Sequence, residues 1–163
     1  MAATGETTGV LLIGGGVASV RCARTLRREG FDGRITLVGD EPALPYNRPP
    51  LSKELLRDDL PDELVLAERE PWYARHGVEL VTGRHVTALD LDAREASLDD
   101  GTRIAFERSL VATGAQPREL PIQGGDHAIM LRTLADARRL RARALQAGQG
   151  ASVTVIGGGF IGV

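Results

Sequence analysis

Two closely similar glycine runs carry the clearest chemistry in this chain: Leu12-Ile13-Gly14-Gly15-Gly16-Val17-Ala18-Ser19 and Val155-Ile156-Gly157-Gly158-Gly159-Phe160-Ile161-Gly162. Each follows a short aliphatic, β-branched stretch, Val10 to Ile13 and Val153 to Ile156. Each therefore predicts a buried strand that turns sharply into a helix whose free N–H groups face a pyrophosphate. In such a loop the first glycine permits the tight turn and the second leaves room for the pyrophosphate. The third position has to be small so that helix and strand can pack. That third position is Ser19 in the first copy, a looser match, and Gly162 in the second. Two loops of this kind imply two dinucleotides, and the common use of two neighbouring dinucleotides is to move electrons between them.

A second strand is expected from about Arg34 to Val38, ending at Gly39-Asp40-Glu41. It places a carboxylate pair at the carboxyl end of the strand beside the first loop. Doubly wound sheets bind ligands at that edge, and an acidic side chain there accepts hydrogen bonds from an adenosine ribose. Lysine usage draws the eye next. Of 20 basic residues 19 are Arg, and the single Lys is Lys53, closing Leu44-Pro45-Tyr46-Asn47-Arg48-Pro49-Pro50-Leu51-Ser52-Lys53. A compact, movable ammonium does things a planar guanidinium cannot, yet composition alone leaves open whether Lys53 is there by function or by chance.

The elements that position these residues follow from periodicity and punctuation. Val17 to about Glu29 reads as a helix closed by Gly30 in the left-handed cap position, with Val20 and Leu26 facing inward. Residues 42–50 hold four of the eight prolines and form a fixed loop. A short helix is expected around Leu51 to Leu56, a solvated acidic turn over Asp58 to Glu63, and a helix to about Arg75 with Pro71 in its first turn. Val78 to Val81, Val86 to Leu91, Glu95 to Leu98, Arg103 to Phe106 and Ser109 to Ala112 read as strands, with Asp99-Asp100-Gly101 as a turn. A composition change at Gln116 to Pro121 suggests a boundary. Thr133-Leu134-Ala135-Asp136 resembles a capping box that starts an Arg-rich helix to about Gln146, stopped by Gly148. Arg139 and Arg143 share a face of that helix, which could attract an acidic protein or simply be solvated.

Composition narrows the function classes. The chain has 163 residues, of which 42% are apolar, enough for a sizeable core. A net charge of −2 gives no long-range attraction to nucleic acid or anionic membrane, so neither is expected as a partner. The opening residues lack a basic-then-apolar leader and no apolar run is long enough to span a bilayer, so a cytoplasmic protein is expected. Cys22 is the only cysteine. No disulfide, cysteine redox pair or cysteine metal cluster can be built from this segment, and Cys22 reads as a packing residue behind the first loop. His76, His85 and His127 show no metal-ligand spacing, so no metal site is expected.

The stretches Leu37-Val38-Gly39-Asp40-Glu41, Leu44 to Lys53, Leu110-Val111-Ala112-Thr113-Gly114-Ala115-Gln116-Pro117-Arg118, Leu131-Arg132-Thr133-Leu134-Ala135-Asp136-Ala137 and the second glycine run occur in this order. Together they resemble the ferredoxin reductase-type FAD-dependent NAD(P)H oxidoreductases, which serve putidaredoxin, rhodocoxin and aromatic dioxygenase ferredoxins. The resemblance implies an α/β, Rossmann-like flavoprotein with two dinucleotide-binding domains, of which this chain holds residues 1–115 of an FAD domain and, in 116–163, the start of an incomplete NAD(P)H domain. The implied activity is hydride transfer from NAD(P)H to the flavin, then single-electron transfer to a ferredoxin-type iron–sulfur acceptor. An apoptosis-inducing-factor-like redox sensor, or a nitrite or rubredoxin reductase-type subunit, is the alternative.

Residue by residue, the resemblance puts Gly14, Gly16, Val17 and Ala18 at the FAD pyrophosphate and Asp40 or Glu41 on the adenosine ribose. Arg48 and Lys53 line the phosphate and flavin side, with Lys53 near the isoalloxazine ring as the catalytic residue, its charge favouring the reduced, anionic flavin. Val86 meets the adenine through its backbone, Ala112, Thr113 and Gly114 run along the FAD phosphates, and Arg132 is a further contact. Gly157, Gly159 and Gly162 hold the NAD(P)H pyrophosphate, with Phe160 and Ile161 toward the nicotinamide. The plainer alternatives are a solvated loop charge for Arg48, a strand core residue for Val86 and a strand cap for Thr113. Taken alone, the 163-residue segment is expected to bind FAD weakly and to expose apolar surface from Val153 to Ile161.

Overall fold

The structure is a computed structural model that describes residues 7–57 and 61–162. In chain order its elements are β1 (Thr8–Ile13), α1 (Val17–Arg28), β2 (Ile35–Gly39), α2 (Glu54–Arg57), α3 (Glu70–Arg75), β3 (Val78–Thr82), β4 (Val86–Asp90), β5 (Glu95–Leu98), β6 (Arg103–Val111) and α4 (Leu134–Ala147), with short 3₁₀ turns between some of them. The chain divides into two compact units. One comprises the chain up to Asn47 together with Leu66–Gly114; the other comprises Arg48–Val65 and everything from Ala115 onward.

The first unit is a sheet of order β3-β2-β1-β6-β5-β4. β1 pairs in parallel with β2 on one side and β6 on the other, and β2 pairs in parallel with β3. β1 is apolar at nearly every position because both of its faces are covered. Val10 and Leu12 join Val20 and Ala23 of α1, Ile35, Leu37, Tyr73 and Val78 in one core cluster. Leu11 and Ile13 point the other way, into a cluster with Val38, Ala96, Leu98 and Phe106. The crossover β1–α1–β2 is the first half of a Rossmann-like unit. α1 ends as its sequence predicts, with Gly30 in the left-handed conformation at φ 84°.

β6 departs from expectation. Two strands, Arg103 to Phe106 and Ser109 to Ala112, are predicted, but one continuous strand forms. Its first residues pair antiparallel with β5 and those from Phe106 onward pair in parallel with β1. Glu107 and Arg108, which look like a break, are exposed residues within it. β4 stops one residue early because the Asp90 carboxylate accepts the N–H groups of Asp92 and Ala93 at 3.0 and 2.8 Å, which turns the chain.

In the second unit the expected helix at Leu51 to Leu56 is split into a 3₁₀ turn, Pro49–Ser52, and α2, with Lys53 at the break. The first half of the predicted acidic turn at Asp58 to Glu63 lies outside the described residues; Asp62–Leu64 forms a 3₁₀ turn. α4 has both halves of its capping box: Thr133 Oγ1 accepts the Asp136 N–H, the Asp136 carboxylate accepts the Thr133 N–H, and Gly148 closes the helix at φ 75°. The strand predicted at Val153 to Ile156 does not form. Among the described residues this unit offers no strand to hydrogen-bond with it, so Val153, Val155 and Ile156 stay exposed.

Candidate functional site

In the first unit the predicted residues gather at the carboxyl edge of the parallel strands. Gly14 turns the chain at φ 120°, a region that L side chains rarely adopt, and a Cβ there would collide with the Ala112 carbonyl oxygen. Its N–H donates to the Val38 carbonyl at 2.8 Å, and the Ala112 N–H donates to the Ile13 carbonyl at 2.8 Å. The first loop and the Ala112-Thr113-Gly114 segment are thereby locked side by side. A Cβ on Gly39 would sit 3.1 Å from Gly15 Cα, a tight approach that glycine relieves where the first loop packs against the end of β2.

Gly16 is different. Its backbone is extended (φ −97°, ψ 177°), which any residue tolerates, and a Cβ would meet nothing within 4 Å. Among the described residues nothing close to Gly16 requires glycine here. It caps the N-terminus of α1, which has no side-chain cap, and the first helical residues Val17 and Ala18 are exposed. Open space before the free N–H groups of a 12-residue helix fits a pyrophosphate. Ser19, in the third position, is fully buried, so serine is small enough for the packing.

The two carboxylates beside this loop are not equivalent. Glu41 is half-buried and its Oε2 accepts the Tyr46 hydroxyl at 2.6 Å, whereas Asp40 is exposed. The Gly83 N–H donates to the Glu41 carbonyl and the Arg84 N–H to the Gly39 carbonyl, each at 3.0 Å, which laces the β3–β4 turn to the end of β2. Val86 follows at the start of β4, opposite Leu98, with its side chain packed partly against the second core cluster.

The second unit holds a cleft of about 280 Å³ whose lining includes Arg48, Lys53, Arg132, Phe160 and Ile161. Five residues singled out from the sequence for flavin or nicotinamide are thus brought together. Pro49, Leu51, Ser52 and Leu131 also line it, so among the described residues three cations share a largely apolar cleft with no carboxylate in its lining. Such a cleft suits a flat, partly apolar, anionic ligand. Arg48 Nη1 donates to the Arg132 carbonyl at 2.7 Å. The Asp136 Oδ2 accepts the N–H groups of Arg132 and Thr133 at 3.2 and 2.9 Å. Burial pushes the Asp136 carboxyl up, but hydrogen bonds from Thr133 and Arg132 and the charge of Arg139 outweigh it and hold the group below the usual range.

The second glycine run repeats the local geometry of the first without its strand. Gly157 sits at φ 121° against 120° at Gly14, and a Cβ on Gly159, as on Gly16, would meet nothing within 4 Å. A Cβ on Gly162 would strike the Gly157 carbonyl oxygen. Sequence reasoning did not single out the Gly15–Gly39 approach, the Tyr46–Glu41 bond or the tie from Arg48 to Arg132. A glycine at the end of β2 signalled the first; the other two join residues with no shared motif. Cys22 is half-buried with its thiol pushed up by burial, as befits packing. Among the described residues no group of side chains could hold a metal ion, and no helix is long and apolar enough to cross a membrane.

Residues 8–163 match the pyridine nucleotide-disulphide oxidoreductase family. The chain belongs to that family. Within it, the chain is 45% identical over 156 residues to the p-cumate 2,3-dioxygenase system ferredoxin–NAD(+) reductase component of Pseudomonas putida, with 94% of this chain and 38% of the relative covered. It is 43% identical over 157 residues to the chlorobenzene dioxygenase ferredoxin reductase component of Cupriavidus sp. (strain PS12), covering 95% of this chain and 37% of that one. Among solved structures, the ferredoxin reductase for the CYP199A2 system from Rhodopseudomonas palustris superposes with a TM-score of 0.80 at 32% identity, over 86% of this chain and 35% of that chain. This family member therefore has the Rossmann-like α/β fold of those reductases and spans little more than a third of the length of the curated relatives it matches.

Proposed function

We propose that this chain supplies the first glycine loop and the cation-lined cleft of a flavoprotein reductase that passes electrons from NAD(P)H, through FAD, to a ferredoxin-type iron–sulfur protein. The observation that carries the reading is Gly16, a glycine that no close contact among the described residues calls for, standing open at a helix N-terminus without a side-chain cap. In this reading residues 1–115 belong to the FAD domain and 116–163 begin the NAD(P)H domain.

Gly14 shapes the turn, and Gly16, Val17 and Ala18 present backbone N–H groups to the FAD pyrophosphate. Asp40 takes the adenosine ribose, because Glu41 is already engaged by Tyr46. Ala112, Thr113 and Gly114 run along the phosphates, and the Val86 backbone meets the adenine. In the second unit Arg48, Lys53 and Arg132 provide positive charge to the flavin, with Lys53 the catalytic residue. Gly157, Gly159 and Gly162 serve NAD(P)H, with Phe160 and Ile161 toward the nicotinamide. FAD supplies the conversion between a two-electron donor and a one-electron acceptor. A cytoplasmic place of action fits a reaction fed by the cellular NAD(P)H pool.

The relatives' names support the acceptor class, since they are ferredoxin reductase components of dioxygenase systems. The test is a steady-state assay of the full-length protein with NADH or NADPH and a [2Fe–2S] ferredoxin. Sustained ferredoxin reduction is expected. Slow turnover with a long-lived NADH–flavin charge-transfer complex would contradict the reductase reading and favour a redox sensor.

A further inference from the structure

We infer that Asp136 is a positioning residue for the cleft: with Arg48 it grips the backbone of Arg132 from both ends and fixes where the Arg132 side chain meets an anionic ligand. The inference rests on the flavin reading of that cleft. A capping box needs Asp136 to accept only the Thr133 N–H. Here the same oxygen, Oδ2, also accepts the Arg132 N–H at 3.2 Å, which capping does not call for. The Arg132 carbonyl is held in turn by Arg48 Nη1 at 2.7 Å, from 84 residues away in sequence. Amide and carbonyl of one residue are therefore fastened to different segments of the second unit, and that residue lines the same cleft as Lys53.

Asp136 is not among the residues lining the cleft, and Arg132 is the lining residue to which it bonds directly. An Arg side chain is long and rotamer-rich, and anchoring its root narrows the volume its guanidinium can search. Asp136 Oδ1 faces Arg139 Nη2 at 3.4 Å, which holds the carboxylate in this orientation. The hydrogen bond from Arg132 that does the gripping is also one of those that hold the carboxyl below the usual carboxylate range.

The experiment compares Asp136→Ala, Asp136→Asn and Thr133→Ala in the full-length protein, reading FAD affinity by reconstitution of the apoprotein and stability by thermal melting. Thr133→Ala and Asp136→Ala each break the capping box, so both should lower Tm. Only Asp136→Ala also releases Arg132, and it should weaken FAD about tenfold, the scale of one charge-assisted hydrogen bond from Arg132 to the ligand. Thr133→Ala should leave FAD affinity within about twofold. Asn can accept both N–H groups through its single Oδ1, so Asp136→Asn should restore most of the affinity. Equal weakening by Asp136→Ala and Thr133→Ala, or none by either, would overturn the positioning role while leaving the flavin reading intact. A wild-type protein that binds no FAD would overturn both.

Discussion

The two glycines of the first loop should separate under mutation into one that serves the fold and one that serves a ligand. Gly14→Ala places a Cβ against the Ala112 carbonyl at φ 120°. Forcing that conformation costs about 1–3 kcal/mol and displacing packed backbone about 1–3 kcal/mol more. A loss of roughly 2–6 kcal/mol is a large share of the 5–15 kcal/mol typical of a whole domain. Gly16→Val meets neither penalty, because its backbone is extended and its side chain enters open space. Losing glycine as a helix cap costs about 0.5–1 kcal/mol, partly offset by the lower entropy of the unfolded chain. The pyrophosphate would lose two or so charge-assisted hydrogen bonds worth about 1.5–3 kcal/mol each, at least a hundredfold in Kd. Thermal melting and flavin-to-protein absorbance ratios of the full-length variants read both quantities. Gly16→Val that keeps its flavin at normal stoichiometry, or that melts as early as Gly14→Ala, would refute the reasoning.

Three further outcomes are expected. Asp40→Ala should raise the FAD Kd about 10- to 150-fold through loss of a charged hydrogen bond, and Glu41→Ala by less, as read by flavin fluorescence titration; the reverse order would move the ribose to Glu41. Arg27 donates to the carbonyls of His76, Phe31, Gly33 and Gly77 at 2.6, 2.6, 2.8 and 3.0 Å, so Arg27→Met should cost about 2 kcal/mol or more in denaturant unfolding without changing flavin stoichiometry. Asp136 is held below the ordinary carboxylate range. Its contribution is therefore fully present above the unfolded value of about 3.9 and is lost as pH falls through the folded value. The stability gap between wild type and Asp136→Asn should shrink below about pH 4, and a gap that stays constant down to pH 3 would contradict the sign.

Much of this was legible in the sequence because it is local. Gly30 and Gly148 end their helices, Thr133 and Asp136 start one, and the apolar run before Gly14 forms a strand. What depends on distant partners was not. β6 reads as two strands because nothing in Glu107-Arg108 announces that β5 and β1 take up successive parts of one strand. Val153 to Ile156 has a strand's composition but no neighbouring strand among the described residues of its unit. Asp40 and Glu41 stay indistinguishable until Tyr46, brought close by the folded proline loop, is seen to engage one of them. Lys53, open between chance and function on composition alone, lies in a cleft with Arg48, Arg132, Phe160 and Ile161, a grouping no periodicity could show.

The identity of the cofactor released from the purified full-length protein tests the account most directly. Heat denaturation followed by chromatography of the supernatant should yield FAD at close to one per chain. FMN in its place would leave the Asp40 edge without a ribose to bind, and a colourless protein that gains no flavin on reconstitution would leave the open space at Gly16 unexplained; either result would contradict the central claim.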